Sequence, residues 1–140
     1  MKVTGVLQAP VEFLFDAVIE SAMYDIKEQT GRTAPGISAL SGFSYTKKFA
    51  NHQTGKITLS EIVRPRVYEF MTETEVNGFT TRWEFEQQDA KHTKITVSEK
   101  RLSKTERQWT NDLMMGIVLH HAKRKRILSI LRGLEAQYKK

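Results

Sequence analysis

The sequence contains no cysteine, only three prolines and no long apolar run. The absence of cysteine excludes a disulfide framework, thiolate metal sites and thiol catalysis, and it is typical of a reducing compartment. The longest uncharged apolar run, Leu113–Leu119, is far shorter than the roughly 20 residues that span a bilayer. Met1-Lys2 is not followed by the apolar segment of a signal peptide. These absences predict a soluble, cytoplasmic protein.

The composition predicts one globular domain over residues 1–140. Hydrophobic residues make up 39% of the chain and charged residues 27%, values typical of a folded protein with a core. A chain of 140 residues has the usual size of one domain. The sequence shows no internal repeat, linker or low-complexity segment, which favours a single unit.

The net charge of +6 is concentrated at the end of the chain. Ser103–Lys140 holds nine Lys/Arg against three acids, whereas the preceding residues hold thirteen of each. Four of these bases are consecutive: Lys123, Arg124, Lys125 and Arg126. Two interpretations stay open, a surface for phosphates or anionic lipid and a solvated helix end. No DNA-reading element accompanies the run, so nucleic acid and membrane surfaces are the less favoured partners.

The first third of the chain has the pattern of a strand followed by helices. Lys2–Gln8 alternates as a short strand, although imperfectly. Apolar residues at spacings of three and four then predict a helix from Val11 to Thr30, interrupted near Ser21–Tyr24 and ended by Gly31. Arg32–Gly42, rich in Gly, Ser and Thr, reads as a loop.

Period-two alternation then predicts five strands of an antiparallel sheet with one buried face. Asn77-Gly78 between two of them is a strong hairpin signal. A final helix is predicted from a capping box at Ser103–Glu106, and its length of about 50 Å allows it to span the sheet. The predicted strands are Phe43–Asn51, Lys56–Arg64, Val67–Val76, Phe79–Gln87 and Thr93–Leu102, and the apolar stripe of the helix is Trp109, Leu113, Gly116, Ile117, His120, Ile127, Leu131, Leu134 and Tyr138.

This α+β order resembles the START-like, or Bet v-like, helix-grip superfamily (SRPBCC), and within it a small bacterial family of unknown function. The resemblance rests on Tyr24–Lys27 with Thr30-Gly31, on Gly42–Phe49, and on the basic C-terminal helix. It implies a curved antiparallel sheet of about six strands wrapped around the long C-terminal helix, with a short helix pair between strands 1 and 2. It also implies that hydrophobic small molecules or lipids bind between sheet and helix, since this is typical of the superfamily, in which a minority are enzymes.

Strand parity predicts which side chains face the C-terminal helix. Large aromatic residues supply the walls of a ligand cavity and the filling of a core equally well, so both interpretations stay open. The expected cavity residues are Tyr45, Leu59, Tyr68, Phe70, Trp83, Phe85 and Val97 on the strands, and Trp109, Leu113, Ile117 and His120 on the helix.

Three charged residues share the apolar phase of the strands: Glu61, Glu99 and Arg101. Because a buried charge is costly unless it is paired, they suggest a polar cluster that orients a ligand. The alternative is that they lie at strand ends or beyond a bulge, where parity fails. His120 has no histidine or acidic partner one turn away, so no metal site, cofactor or catalytic group is indicated.

Met114, Met115 and Val118 make two turns of the last helix apolar on nearly every side. One sheet cannot bury a whole helix circumference, so this region suggests contact with other helices, a homodimer or a membrane surface. The favoured function is binding of an apolar or amphipathic, lipid-like molecule without catalysis. The alternative is an interaction module in which the Met-rich and basic helix contacts a partner protein, anionic membrane or nucleic acid.

Overall fold

The computed structural model describes residues 1–49, 53–75, 78–102 and 124–139. Within these ranges no helix is both long and apolar enough to cross a membrane. The elements in chain order are β1 (Lys2–Leu7), α1 (Val11–Thr30), α2 (Ile37–Leu40), β2 (Ser44–Lys48), β3 (Thr54–Val63), β4 (Val67–Glu73), β5 (Gly78–Gln87), β6 (Thr93–Leu102) and α3 (124–139).

The six strands form one antiparallel sheet in the order β1-β6-β5-β4-β3-β2. Strands β2 to β6 follow one another as a meander, and β1 adds to the far edge by pairing with β6, with Val3 opposite Val97. The predicted α+β helix-grip architecture is confirmed, and the strand bounds differ from the predicted ones by a few residues. Asn77 of the predicted hairpin lies outside the described residues.

Apolar and polar residues alternate along each strand, and the apolar residues of neighbouring strands lie opposite one another. The sheet therefore has one apolar and one charged face. Val3, Trp83, Ile95 and Val97 are all buried on the inner face, which the helices cover. Their neighbours along the strands, such as Lys94, face the opposite, outer side. Burial of the inner face is therefore what holds helices and sheet together.

Helix α1 packs its apolar stripe on this inner face. Phe15 meets Phe85 of β5 edge to face, with ring centroids 5.3 Å apart. Pro10 provides no side-chain cap, and the first N–H of the helix, on Val11, donates to Gln87 Oε1 at 2.9 Å instead. Gly31 ends the helix with φ 73°, a left-handed conformation that suits glycine.

The predicted interruption of α1 near Ser21–Tyr24 is wrong. Ala22 and Ile26 continue the buried stripe without a break, so one 20-residue helix satisfies the whole apolar pattern. The second member of the helix pair is α2, a single turn that places Leu40 in the core. It lies in Arg32–Gly42, the segment predicted as a loop.

Helix α3 packs against β1 and α1. Ile127 and Leu131 are buried, and a Cβ atom placed on Gly5 would lie 3.0 Å from Leu131 Cδ1, so β1 and α3 approach closely there. Glu135 Oε2 accepts a hydrogen bond from the N–H of Gln8 at 2.8 Å. In the distal part of the predicted stripe, Ile127 and Leu131 are confirmed as buried, Leu134 is partly buried and Tyr138 is exposed. The capping box and the stripe from Trp109 to His120 lie outside the described residues.

We expect Leu131→Ala to destabilise the fold strongly. Leu131 is 2% exposed beneath β1, and truncating a buried leucine typically costs about 2–5 kcal/mol. Urea unfolding followed by circular dichroism measures the change. Ile130→Ala is the matched control, because the adjacent Ile130 is 43% exposed and its truncation removes little buried surface. Equal losses for both variants would contradict the described packing of α3.

Candidate functional site on the inner face of the sheet

The strand residues predicted to face the helix do lie on the inner face. Several of them are direct cross-strand neighbours: Leu59 lies opposite Phe70, and Tyr68 lies opposite Trp83. Tyr45 and Phe70 are only partly buried, whereas the other five are buried, namely Leu59, Tyr68, Trp83, Phe85 and Val97. Their placement is established, and their role as ligand contacts stays a prediction.

Glu61 does not share this face, and the alternative interpretation, a position beyond a bulge, holds for it. Leu59 pairs with Phe70 but Glu61 pairs with Glu69, so Ser60 is an extra residue that forms a bulge. The bulge reverses the parity of the rest of β3 and turns Glu61 to the outer face. There Arg82 Nη1 donates to Glu61 Oε2 and to Glu69 Oε2, both at 2.9 Å.

Glu99 and Arg101 keep the inner phase. Glu99 lies opposite the buried Thr81, and Arg101 lies opposite Phe79 with its guanidinium carbon 5.0 Å from the centre of that ring. Both side chains are partly buried toward the end of β6. Their contribution to a cavity stays a prediction, and no bulge displaces them.

The remaining predicted residues divide into two groups. Arg124, Lys125 and Arg126 are exposed at the start of the described part of α3, as a solvated helix end requires. The other predicted residues lie outside the described part of the chain: Trp109, Leu113, Met114, Met115, Ile117, Val118, His120 and Lys123.

An ionic cluster that the sequence did not reveal joins α1 to β2 on the inner side. Asp25 Oδ2 accepts a hydrogen bond from the Tyr45 hydroxyl at 2.6 Å. Lys47 Nζ donates to both carboxylate oxygens of Asp25 at 3.1 Å. Asp25 therefore holds two inner-face residues of the edge strand against the helix. A signal existed, because Lys47 shares the apolar phase of β2 and needs a buried partner.

Tyr68 lies at the centre of the inner face, on β4. Its side chain is 8% exposed, and its ring lies 5.3 Å from that of Phe70. Among the described residues its hydroxyl has no hydrogen-bond partner, in contrast to Tyr45. Burial raises the pKa of Tyr68 above the ordinary value for tyrosine, and the nearby Asp25 carboxylate raises it further. The hydroxyl is therefore protonated at neutral pH.

The Tyr45 hydroxyl is held protonated in the same way. Burial raises its pKa first, and the hydrogen bond to Asp25 raises it further, since a phenolate would face a carboxylate. The inner face thus carries two neutral phenol groups. One is engaged with α1, and the other is not engaged within the described structure.

A separate groove lies on the outer face, with a volume of about 420 Å³. Charged side chains of both signs surround it, and they balance in number: Glu61, Glu84 and Glu86 against Lys2, Arg66 and Lys94. In the described ranges, no group of three His, Asp or Glu residues is arranged to hold a metal ion. The outer groove thus has neither the aromatic walls nor the burial of the inner face.

The architecture is that of a helix-grip fold, and solved structures share it. DynU16 from the dynemicin biosynthetic locus has a TM-score of 0.59 and a sequence identity of 15%, and the match covers 99% of this chain. The di-domain ARO/CYC StfQ from the steffimycin biosynthetic pathway also has a TM-score of 0.59, with a sequence identity of 9% and the same coverage of 99%. This chain spans only 46% of each. The Zhui aromatase/cyclase from Streptomyces sp. R1128 has a TM-score of 0.54 and a sequence identity of 7%, and the match covers 99% of this chain and 92% of that chain.

The chain belongs to the family described as Domain of unknown function (DUF3284), whose model matches residues 1–120. No curated protein sequence matches it. At identities of 7–15%, the solved structures establish the fold alone.

We expect Tyr45→Phe to destabilise the protein. A hydrogen bond to a charged group contributes about 1.5–3 kcal/mol, and the variant leaves Asp25 with Lys47 as its remaining partner. Thermal unfolding at pH 7 measures the loss. Tyr24→Phe is the control, because Tyr24 precedes Asp25 on the same helix and is 68% exposed. No difference between the two variants would contradict the Tyr45–Asp25 hydrogen bond.

We expect Tyr68 to make stability fall at alkaline pH. Above about pH 10 tyrosine ionises in the unfolded chain, whereas Tyr68 stays protonated in the folded one, so the unfolded state is favoured. The loss is about 1.4 kcal/mol per pH unit. It is absent in Tyr68→Phe, so in urea unfolding from pH 8 to 11 the difference in stability between the two proteins should stay constant up to about pH 10 and change only above it. A parallel decline at every pH would rule out the raised pKa.

Proposed function

We propose that this protein binds an apolar or amphipathic small molecule between the inner face of its sheet and the C-terminal helix. The observation that carries the proposal is the uneven covering of the inner face. Near β1 and β6 the face is sealed, with Val3, Ile95 and Val97 all fully buried. Toward β2 and β4, Ile57, Leu59 and Tyr68 are buried, but four inward-facing rings stay partly exposed: Phe43, Tyr45, Phe49 and Phe70.

The covering elements explain this difference. Phe15 of α1 closes the β5 region, and Leu131 of α3 closes the β1 region at Gly5. On the β2 side, α1 also contributes the polar Asp25, which accepts a hydrogen bond from Tyr45. Rings that face inward without full burial are what the wall of a ligand site offers, because a bound apolar molecule completes their removal from water.

The similar structures support the same proposal by analogy. Two of them are called aromatase/cyclases, a name that denotes action on a small organic molecule within the same fold. Fold does not determine function, so the analogy supports binding of a small molecule and does not extend to catalysis. No catalytic role is proposed for any inner-face residue.

A neutral fluorescent probe, N-phenyl-1-naphthylamine, tests the proposal. We expect the probe to gain fluorescence on binding and Phe70→Ala to weaken binding by roughly tenfold, the effect of losing about 1.4 kcal/mol of apolar contact. Met71→Ala is the matched control, since Met71 is the next residue of β4, is also partly buried, and faces outward. Native mass spectrometry of protein purified from cells is the complementary measurement.

Two results would contradict the proposal. The first is an absence of probe binding to the folded protein, together with a native mass spectrum that shows the bare chain only. The second is equal weakening by Phe70→Ala and Met71→Ala, because binding would then not depend on which face of β4 carries the substitution.

A further inference from the structure

The hydroxyl of Tyr68 is an unusual group for a protein interior. Its side chain is 8% exposed, and the described structure gives the hydroxyl no hydrogen bond. A buried hydroxyl that lacks a partner reduces stability, and such groups in native proteins call for an explanation. Replacing this tyrosine by phenylalanine would avoid the cost without changing the shape of the core, so the hydroxyl itself requires a role.

The neighbouring Tyr45 shows how the same fold treats a tyrosine that has a structural task. Its hydroxyl donates to Asp25 Oδ2 at 2.6 Å and thereby links β2 to α1. Asp25 also accepts from Lys47, so the charges of that pair are already matched. Tyr68 lies close enough for the Asp25 charge to raise its pKa, yet it makes no hydrogen bond there. The cluster is complete without Tyr68.

The surroundings of the hydroxyl define what it can bind. Phe70 lies 5.3 Å from the Tyr68 ring at a tilt of 37°, and Trp83 is its direct cross-strand neighbour on β5. Phe70 is only partly buried and offers a flat, apolar surface, which suits a planar ligand, whereas Trp83 is itself buried. Because Asp25 and Lys47 balance each other, this pair offers no net charge that would favour an ionic ligand. A neutral oxygen acceptor, such as a carbonyl, would meet a phenol that remains a donor.

We propose that Tyr68 is the specificity residue of the inner face and donates a hydrogen bond to a neutral carbonyl oxygen on a planar aromatic ligand. This inference rests on the proposed function, because it names the ligand class for the same site. It assigns separate tasks to the two tyrosines. Tyr45 stabilises the wall of the site through its hydrogen bond to Asp25, and Tyr68 donates the hydrogen bond that selects the ligand.

The first test measures stability without ligand. We expect Tyr68→Phe to raise the melting temperature, because the variant removes a buried hydroxyl that has no hydrogen-bond partner among the described residues. We expect Tyr45→Phe to lower it, because that hydroxyl donates to Asp25. The two substitutions remove the same atom from the same face of the sheet, so opposite signs cannot arise from a general packing effect. A lower melting temperature for Tyr68→Phe would show that the hydroxyl is already bonded within the protein, and it would overturn the inference.

The second test compares 9-fluorenone with fluorene, which has the same ring system without the carbonyl oxygen. Displacement of N-phenyl-1-naphthylamine measures both affinities. We expect the wild-type protein to bind fluorenone about 2- to 12-fold more tightly, the range that one hydrogen bond provides. In Tyr68→Phe the ratio should fall to about one through weaker fluorenone binding. Tyr24→Phe, with its side chain on the exposed surface of α1, should keep the wild-type ratio.

The outcomes separate the two proposals. If both compounds bind the wild-type protein equally well, or if Tyr68→Phe keeps the preference for fluorenone, the assignment to Tyr68 is wrong and the binding function stands. If neither compound nor the dye binds the folded protein, the proposed function fails, and the assignment fails with it.

Discussion

Removing one face of the sheet from water is the constraint on which the rest of this structure depends. Six strands with apolar residues in one phase cannot remain open, because an exposed aromatic face of this size is unstable in water. The two helices that cover it use different contacts. Helix α1 packs Phe15 on Phe85, whereas α3 brings Leu131 against Gly5, where the missing side chain allows close approach. The edge strand β2 is attached by the ionic contact of Asp25.

Several polar groups on the inner face are engaged in hydrogen bonds. Thr93 donates to the carbonyl of Ala9 at 2.8 Å, and Tyr45 and Lys47 donate to Asp25. Each of these bonds also joins two elements of the fold. Tyr68 is buried as deeply as its apolar neighbours, but its hydroxyl joins nothing in the described structure. The proposed ligand carbonyl would supply a partner for this hydroxyl.

Much of the fold could be predicted from the sequence because alternation and helical spacing are local signals. The strands, the helix over Val11–Thr30 with its Gly31 cap, and the buried Ile127 and Leu131 all followed from residue spacing. The bulge at Ser60 could not be predicted in this way, since nothing in the local alternation marks the extra residue. For Glu61 a bulge was therefore only one of two alternatives, and the structure is needed to choose between them.

The candidate site was predictable only in its apolar part. Parity placed Leu59, Trp83 and Val97 correctly, because one face of a strand is defined by its own sequence. The pairing of Asp25 with Tyr45 joins residues 20 positions apart on different elements, so it depends on how α1 crosses the sheet. The open hydroxyl of Tyr68 is harder still to foresee. A missing contact is recognised only after all neighbours are in place.

The basic charge of the chain has a simple physical account in its described part. Arg124, Lys125 and Arg126 lie on the exposed side of α3, and the next residue, Ile127, turns into the core. A helix that must bury one stripe can carry bases elsewhere at little cost, because their charged ends stay in water. The positive charge therefore need not approach the inner face at all. The only ionic group described between α1 and β2 is the matched pair of Asp25 and Lys47, which leaves that wall neutral and suited to an uncharged ligand.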